Sequence, residues 1–433
     1  MNLGSRLLNA GIEVSFDDLN YVSLRDPAIV PHIIDADLIG FTVLGPPYIP
    51  GIARNIRDLR SLGYRKPILL GGEGVARLEP TDFQSWFGDD KRVRQVKNDA
   101  DLESAIGIQI GAKPIRSAFE TSMVPMLRKL PAKWLMKYIK QEFALFMSNG
   151  CMFNCHFCQA AKGQPEQYRA LESLEEEVDF IAEGLALMGH PHLTAYLTNL
   201  DLFQNVDQLE ERLALIHRVC DKHRITPRLR GLATSKCTFL ACQSDPELPH
   251  RLRHYGLRTV GFGADGASEA TWRRENKRHN ALSELEVVVR TMKNADISPE
   301  LLMVLGFQGG KPGEIFADLG FSFRHALRKT VIRPYLAKSK TPSTGRWFGD
   351  DPEVENFRKD ATLLTRLDYA MLGSRETHPK RSERWLANAA YLTLIGTLAP
   401  FDLCPTRPLV PVPRSGPLRR LSQTINRYIP FDR

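Results

Sequence analysis

The chain is short of cysteine, of long apolar runs and of net charge, and each shortage removes a class of protein. Its 433 residues hold seven cysteines, an odd number with three of them crowded together. A secreted disulfide framework uses an even number, so a reducing cytoplasm is the expected compartment. Met1 to Arg6 lack the apolar core of a signal peptide. No apolar run reaches the length of a membrane span; the nearest, residues 385–401, contains Asn388, Thr393, Gly396, Thr397 and Pro400 and reads as a buried helix. The formal charge of +8 and pI near 9.1 are a mild excess spread along the chain, which favours an anionic partner only weakly, so a nucleic-acid partner is not expected. Arg407, Arg414, Arg419, Arg420, Arg427 and Arg433 do gather near the end, and they read as a solvated tail. Hydrophobic residues make up 43%, enough for buried cores, and the length calls for two or three domains.

What is present is a concentration of thiols. Cys151, Cys155 and Cys158 are spaced C-x3-C-x2-C directly after a strand-like run, residues 142–147. Three thiolates on one short loop can hold three corners of a cubane iron–sulfur cluster, leaving the fourth iron open to chelate a small molecule. Zinc is the competing reading, but a structural zinc site closes with four ligands, and the fourth at hand is His156, packed between two of the cysteines. Cysteines that merely fill space are the third reading.

The rest of the chain frames that loop. Residues 2–10 read as a helix, 37–43 as a buried parallel strand, 48–62 as a helix and 67–70 as a strand running into Gly71-Gly72, together a βαβ unit. The double glycine either lets backbone approach a ligand or makes a tight structural turn. Residues 111–140, with Pro114, Pro125 and Pro131, suit a linker. Strands are then expected at 142–147, 193–202, 226–233, 259–263, 300–306 and 331–336, alternating with helices at 171–188, 206–220, 246–255, 282–294 and 314–327. Strict alternation implies a parallel barrel, complete or partial, with its chemistry at the carboxyl ends of the strands, and the cysteine loop follows the first of them. Beyond residue 344 come helical runs at 352–374 and 381–398 and a proline-rich basic tail.

C-x3-C-x2-C with Phe157 before the last cysteine and Gly150 before the first resembles the signature of the radical S-adenosylmethionine (SAM) enzymes. The stretches G-S-R-L-L-N-A-G-I-E-V, A-D-L-I-G-F-T and P-I-L-L-G-G-E-G resemble the cobalamin-binding domain that precedes the barrel in many of them. The resemblance implies an α/β architecture. Residues 1–110 would be a Rossmann-like, flavodoxin-type domain lacking its first strand, 111–140 a linker, 141–344 a partial (β/α)6 radical SAM barrel, and 345–433 a helical C-terminal region. Thr42, Gly71 and Gly72 would then line a cobalamin site. The chain departs from the pattern in having no D-x-H-x-x-G, and Asn98-Asp99-Ala100-Asp101 replaces an acidic G-E-x-E turn. The domain therefore either holds cobalamin or keeps the fold with its ligand lost, or its true start lies upstream.

For the barrel, the resemblance implies that Cys151, Cys155 and Cys158 ligate a [4Fe-4S] cluster and that Phe157 lies beside SAM. L-R-T-V-G-F-G-A-D-G-A-S-E places Asp265 at the acidic position after the fourth strand, and L-L-M-V-L-G-F-Q-G-G places Gly306 beneath the adenine. I-R-P-Y-L-A-K-S-K-T-P resembles the close of the sixth strand. The usual G-G-E triplet is missing, and Asn199 or Asp201 would take the methionine amino group instead, with helix capping as the other reading of Asp201. The implied chemistry is reductive cleavage of SAM to a 5′-deoxyadenosyl radical, fed by a flavodoxin or ferredoxin, and cobalamin-dependent methyl transfer or other C–H modification of a small molecule or peptide. A cobalamin-free enzyme acting on RNA is the alternative, weakened by the absence of any cysteine before Cys151; a non-catalytic iron–sulfur or zinc protein is the third. Cys220, Cys237, Cys242 and Cys404 read as structural, Cys404 in a proline-rich loop that could cover the barrel mouth. His190 and His192 read as turn residues.

Overall fold

The computed structural model describes residues 1–18, 24, 26–43, 49–76, 78–88, 90–110, 117–158, 162–307, 310–336, 381–404, 407–408 and 430–431. The expected helix at 352–374 and most of the basic tail lie outside these residues. Among those described, no helix is long and apolar enough to cross a membrane. The chain divides into two compact units, one within residues 6–116 and one holding residues 117–338 and the C-terminal helix.

Helix α1 (Asn2–Asn9) opens the chain. In the first unit, α2 (Val30–Asp35), β1 (Ile39–Thr42), α3 (Ile49–Ser61), β2 (Ile68–Gly71), α4 (Glu73–Ala76), α5 (Pro80–Phe87), β3 (Val93–Gln95) and α6 (Asp99–Ile110) follow in order. The strands form a parallel three-stranded sheet, β1-β2-β3. Ile68, Leu69 and Leu70 of β2 are all buried, as a central parallel strand covered on both faces requires. Gly72 follows β2 at φ +94, and a Cβ there would lie 2.6 Å from the Val43 carbonyl oxygen. The close approach that demands this glycine is therefore to the chain's own backbone.

The second unit begins earlier than expected. Residues 117–140, read as a linker, carry α7 (Val124–Leu127) and α8 (Ala132–Lys140), and Leu127, Leu130 and Ile139 belong to the main core. Then come β4 (Phe143–Phe146), the short β5 (Ser148–Asn149) and β6 (Gln167–Tyr168), α9 (Leu171–Leu187), β7 (His192–Thr198), α10 (Val206–Lys222), β8 (Thr226–Ala233), α11 (Ser235–Ser244), α12 (Leu248–His254) and β9 (Leu257–Gly263). After them stand α13 (Glu269–Arg274), α14 (Leu282–Asn294), β10 (Ser298–Leu305), α15 (Pro312–Leu327), β11 (Val331–Leu336) and α16 (Arg381–Leu398). Six strands pair in the order β11-β10-β9-β8-β7-β4, all parallel, as the alternation predicted. Helix α11, absent from the sequence reading, starts at Thr234, whose hydroxyl accepts the Cys237 N–H at 3.3 Å.

Along β7, Leu193, Ala195 and Leu197 are fully buried in the core that the helices cover, while Thr194, Tyr196 and Thr198 face the other way. On that second face Glu300 accepts from Arg230 at 2.9 Å and from Arg333 at 2.6 and 2.8 Å, a charged bridge across three strands. Behind β4 a buried pair, Arg169 to Glu177 at 2.6 Å, ties the end of β6 to α9. The edge strand β11 is capped by α16 and by Leu403, whose carbonyl accepts the Ile332 N–H at 2.8 Å.

Candidate functional site

The cysteine loop leaves the carboxyl end of β4 and is closed at its base by an antiparallel pair, Ser148 with Tyr168 and Asn149 with Gln167. Gly150 turns the chain at φ +111, where a Cβ would lie 2.3 Å from the Pro165 carbonyl oxygen. The loop's polar backbone is then used up locally. Gln164 N–H donates to Cys151 O at 3.0 Å, Gly163 N–H to Phe153 O at 2.9 Å, and Lys162 Nζ to Cys155 O at 2.7 Å. The turn after α13 holds the far side: His156 N–H donates to Glu275 O and Asn276 Nδ2 to Asn154 O, both at 2.8 Å. Phe153 stacks on His279 with ring centroids 3.7 Å apart, and Phe157 meets Phe307 edge-on at 5.5 Å.

Within this frame Cys155 is 9% exposed and Cys151 and Cys158 are half-buried, while Met152 stands 58% exposed. Burial pushes the Cys155 thiol up to about 11, with Lys277 pulling the other way, and raises Cys151 by the same cause. A metal that takes these sulfurs as thiolates must displace their protons. Each thiol is a donor for one iron of a cubane. A single zinc ion, with Zn–S bonds of about 2.3 Å, needs its sulfurs about 4 Å apart. Among the described residues no three His, Cys, Asp or Glu side chains converge in a way that would hold one ion. His156, the fourth ligand zinc would need, turns Nδ1 to the Arg274 carbonyl at 3.2 Å.

The other expected site residues of the barrel lie at the carboxyl ends of its strands. Asn199 follows β7 and is 8% exposed, and its Oδ1 is buried with no hydrogen-bond partner. Asp201, two residues on, is fully buried and already occupied: it accepts from Thr234 Oγ1 at 2.7 Å, Thr234 N–H at 3.1 Å and Phe203 N–H at 3.3 Å, and Cys237 bonds it as well. It fastens the end of β7 to that of β8; the cap of α10 is Asn205. Asp265 follows β9 in the left-handed region, φ 24, and its carboxylate is ion-paired with buried Lys277. Lys277 also donates to Gly263 O at 2.6 Å and lies 5.9 Å from the Phe157 ring centroid. Gly306 follows β10 at φ +73. Thr42, Gly71 and Gly72 lie together at the carboxyl edge of the other unit's sheet, Thr42 in register with Gly71.

Several residues that hold the site carry no signal in the sequence. Gln204 accepts the Met152 N–H through Oε1 at 2.8 Å and donates through Nε2 to Glu166 Oε2 at 2.8 Å. Lys277, His279 and Lys162 belong with it: Lys277 meets Asp265 and Gly263 O, His279 stacks on Phe153, and Lys162 donates to Cys155 O. None of the remaining cysteines is in a disulfide. Cys404 does not stand over the barrel mouth: it is buried in the apolar core beside Leu403, whose carbonyl accepts the Ile332 N–H near the amino end of β11. His190 Nδ1 meets His192 O at 2.9 Å in the turn before β7.

Residues 145–319 match the family model described as the radical SAM superfamily. Among solved structures, the radical SAM methyltransferase TsrM from Kitasatospora setae, with tryptophan substrate and a SAM analogue bound, is 19% identical with a TM-score of 0.57, over 77% of this chain and 69% of that one. The same enzyme with cobalamin and a [4Fe-4S] cluster is 18% identical, TM-score 0.57, over 81% and 75%. OxsB, a cobalamin-dependent radical SAM enzyme with aqua-cobalamin and SAM bound, is 14% identical, TM-score 0.56, over 74% of this chain and 48% of that one. Similarity at these identities is a similarity of fold. No curated protein gives a sequence match.

Proposed function

We propose, from the premise that this chain is an enzyme carrying a radical SAM domain over residues 145–319, that Cys151, Cys155 and Cys158 hold a [4Fe-4S] cluster, that SAM binds beside it, and that the reaction is cobalamin-dependent methyl transfer or another C–H modification of a small molecule or peptide. The observation that carries this reading is the set of three thiols on one pinned loop at the carboxyl end of the first strand of a parallel six-stranded sheet. Cluster and SAM together supply a one-electron cleavage of a carbon–sulfur bond, and with it hydrogen abstraction from C–H groups.

The chain's own residues bind and orient. The unpartnered Oδ1 of Asn199 is the acceptor for the ammonium group of SAM; Asp201, saturated by Thr234 and Phe203, is not. Lys277 with Asp265 keeps a compensated charge pair beside Cys155. Phe157 and Phe307 exclude water on the adjoining side. Asn199→Leu is expected to raise the dissociation constant for SAM about tenfold, about 1.4 kcal/mol, with iron content unchanged. An unaltered constant by equilibrium dialysis would take Asn199 out of the site.

Cobalamin belongs to the other unit. Its parallel sheet suits the ligand, and the cobalamin-bound TsrM and OxsB structures support it. Residues 6–116 contain one histidine, His32, whose Nε2 is engaged with Asp17 at 2.9 Å, so cobalamin held there would take no imidazole from the end of a strand. Anaerobic reconstitution with iron and sulfide, then incubation with dithionite, SAM and hydroxocobalamin, tests the whole reading. Release of 5′-deoxyadenosine by mass spectrometry and a corrin spectrum that survives desalting are the expected results. The nucleoside without retained corrin would remove methyl transfer through cobalamin and leave a cobalamin-free radical enzyme.

A further inference from the structure

Glu166 stands at the base of the cysteine loop with its carboxylate held by neutral groups. Ser148 Oγ donates to Oε1, Tyr168 OH to Oε2, and Gln204 Nε2 to Oε2 at 2.8 Å. Among the described residues it forms no ion pair. The guanidinium of Arg212 lies 4.8 Å from the Tyr168 ring centroid and hydrogen-bonds Arg169 O at 2.8 Å and Gln208 Oε1 at 2.5 Å, so it attracts Glu166 through space without bonding its carboxylate. Hydrogen bonds of this kind stabilise the charged form of a carboxylate without cancelling its charge. The same Gln204 grips the Met152 N–H, and Gln164 and Lys162, on the turn leading to Glu166, bond or bridge to Cys151. The opposite corner of the site is different, since the Lys277 charge near Cys155 is cancelled by Asp265.

We propose that Glu166 is a tuning residue, whose negative charge, held near Cys151 by neutral hydrogen-bond donors and by no ion pair among the described residues, lowers the reduction potential of the iron–sulfur cluster held there. The inference rests on the reading that the three cysteines bind that cluster. Adding an electron next to a fixed negative charge is disfavoured, and the charge environment is one of the factors that set cluster potentials. The role also gives a reason for building the hub from serine, tyrosine and glutamine, which fix the carboxylate in place and leave its field intact.

The test is a potentiometric titration with dithionite, followed by electron paramagnetic resonance, on the reconstituted full chain. Glu166→Gln keeps the shape and removes the charge, with the amide oxygen accepting from Tyr168 and Gln204 and the amide N–H donating to Ser148 Oγ. Iron content equal to wild type is expected, with the reduced-to-oxidised ratio at fixed potential rising about tenfold, a positive shift of about 59 mV. Ser148→Ala removes one hydrogen bond and keeps the charge, and its midpoint should match wild type. An unshifted midpoint in Glu166→Gln overturns the proposal. An equal shift in Ser148→Ala, or loss of iron from Glu166→Gln, overturns it too, since either makes the hub a brace for the loop. Failure of the wild type to take up a cluster would be a failure of the underlying reading, and is seen before any variant is compared.

Discussion

Cys155→Ala is expected to give a folded protein that takes up no stable cluster. The side chain is small and 9% exposed, so the loss of packing costs about 1 kcal/mol. The backbone of the loop does not depend on it, because Lys162 Nζ holds the Cys155 carbonyl at 2.7 Å and His156 N–H is held by Glu275 at 2.8 Å. What disappears is the middle one of three sulfur donors, and two thiolates cannot fix a cubane with a defined open corner. After anaerobic reconstitution, iron and sulfide should fall to background and 5′-deoxyadenosine below detection, with the far-ultraviolet circular dichroism unchanged. A full iron complement in this variant would show that the loop is not the cluster site.

Gly150→Ala should do comparable damage while leaving every cysteine in place. The residue sits at φ +111, costly for any L side chain, and its Cβ would press on the Pro165 carbonyl oxygen at 2.3 Å and the Glu166 Cα at 2.8 Å. Both obstacles are backbone, so neither can rotate away, and the β5–β6 closure must open to relieve them. The expected cost is about 3 kcal/mol, seen as a lowered Tm and as iron loading below half that of wild type. Gly88→Ala is the control, because Gly88 has φ +74 with nothing within 4 Å of its Cβ position, and it should show conformational strain alone. If Gly150→Ala loads iron normally, the loop is held less tightly than the contact implies.

The cysteines, the alternation of strands and helices, and the position of the loop after the first barrel strand were all legible in the chain. Spacing and hydrophobic pattern are local properties, and 226–233, 282–294, 331–336 and 381–398 fall where the pattern put them. Helix α11 was not legible: Ser235–Ser244 has a weak apolar face and is fixed by the Thr234 cap and by packing on α14. Within the expected linker, the described residues 117–140 differ from that reading for a related reason. Its prolines suggested a connector, but Pro125 sits in the first turn of α7, where a proline is tolerated, and Pro131 directly precedes α8.

The pair Asn199 and Asp201 shows the division most clearly. As residue types both can accept from an ammonium group, and the sequence offered no way to choose between them. Burial and partners separate them, since Asp201 is consumed in joining β7 to β8 through Thr234 while Asn199 keeps a bare oxygen. By itself the sequence determined which atoms could bind iron and in what kind of fold, because ligand chemistry and periodicity are carried by residue type and spacing. Only the tertiary structure decided which polar groups remain available to a ligand and which charges are held by neutral partners. Those depend on partners such as Gln204 for Glu166, 38 positions apart in the chain, which meet because β4 and β7 pair side by side and the segments after them come together.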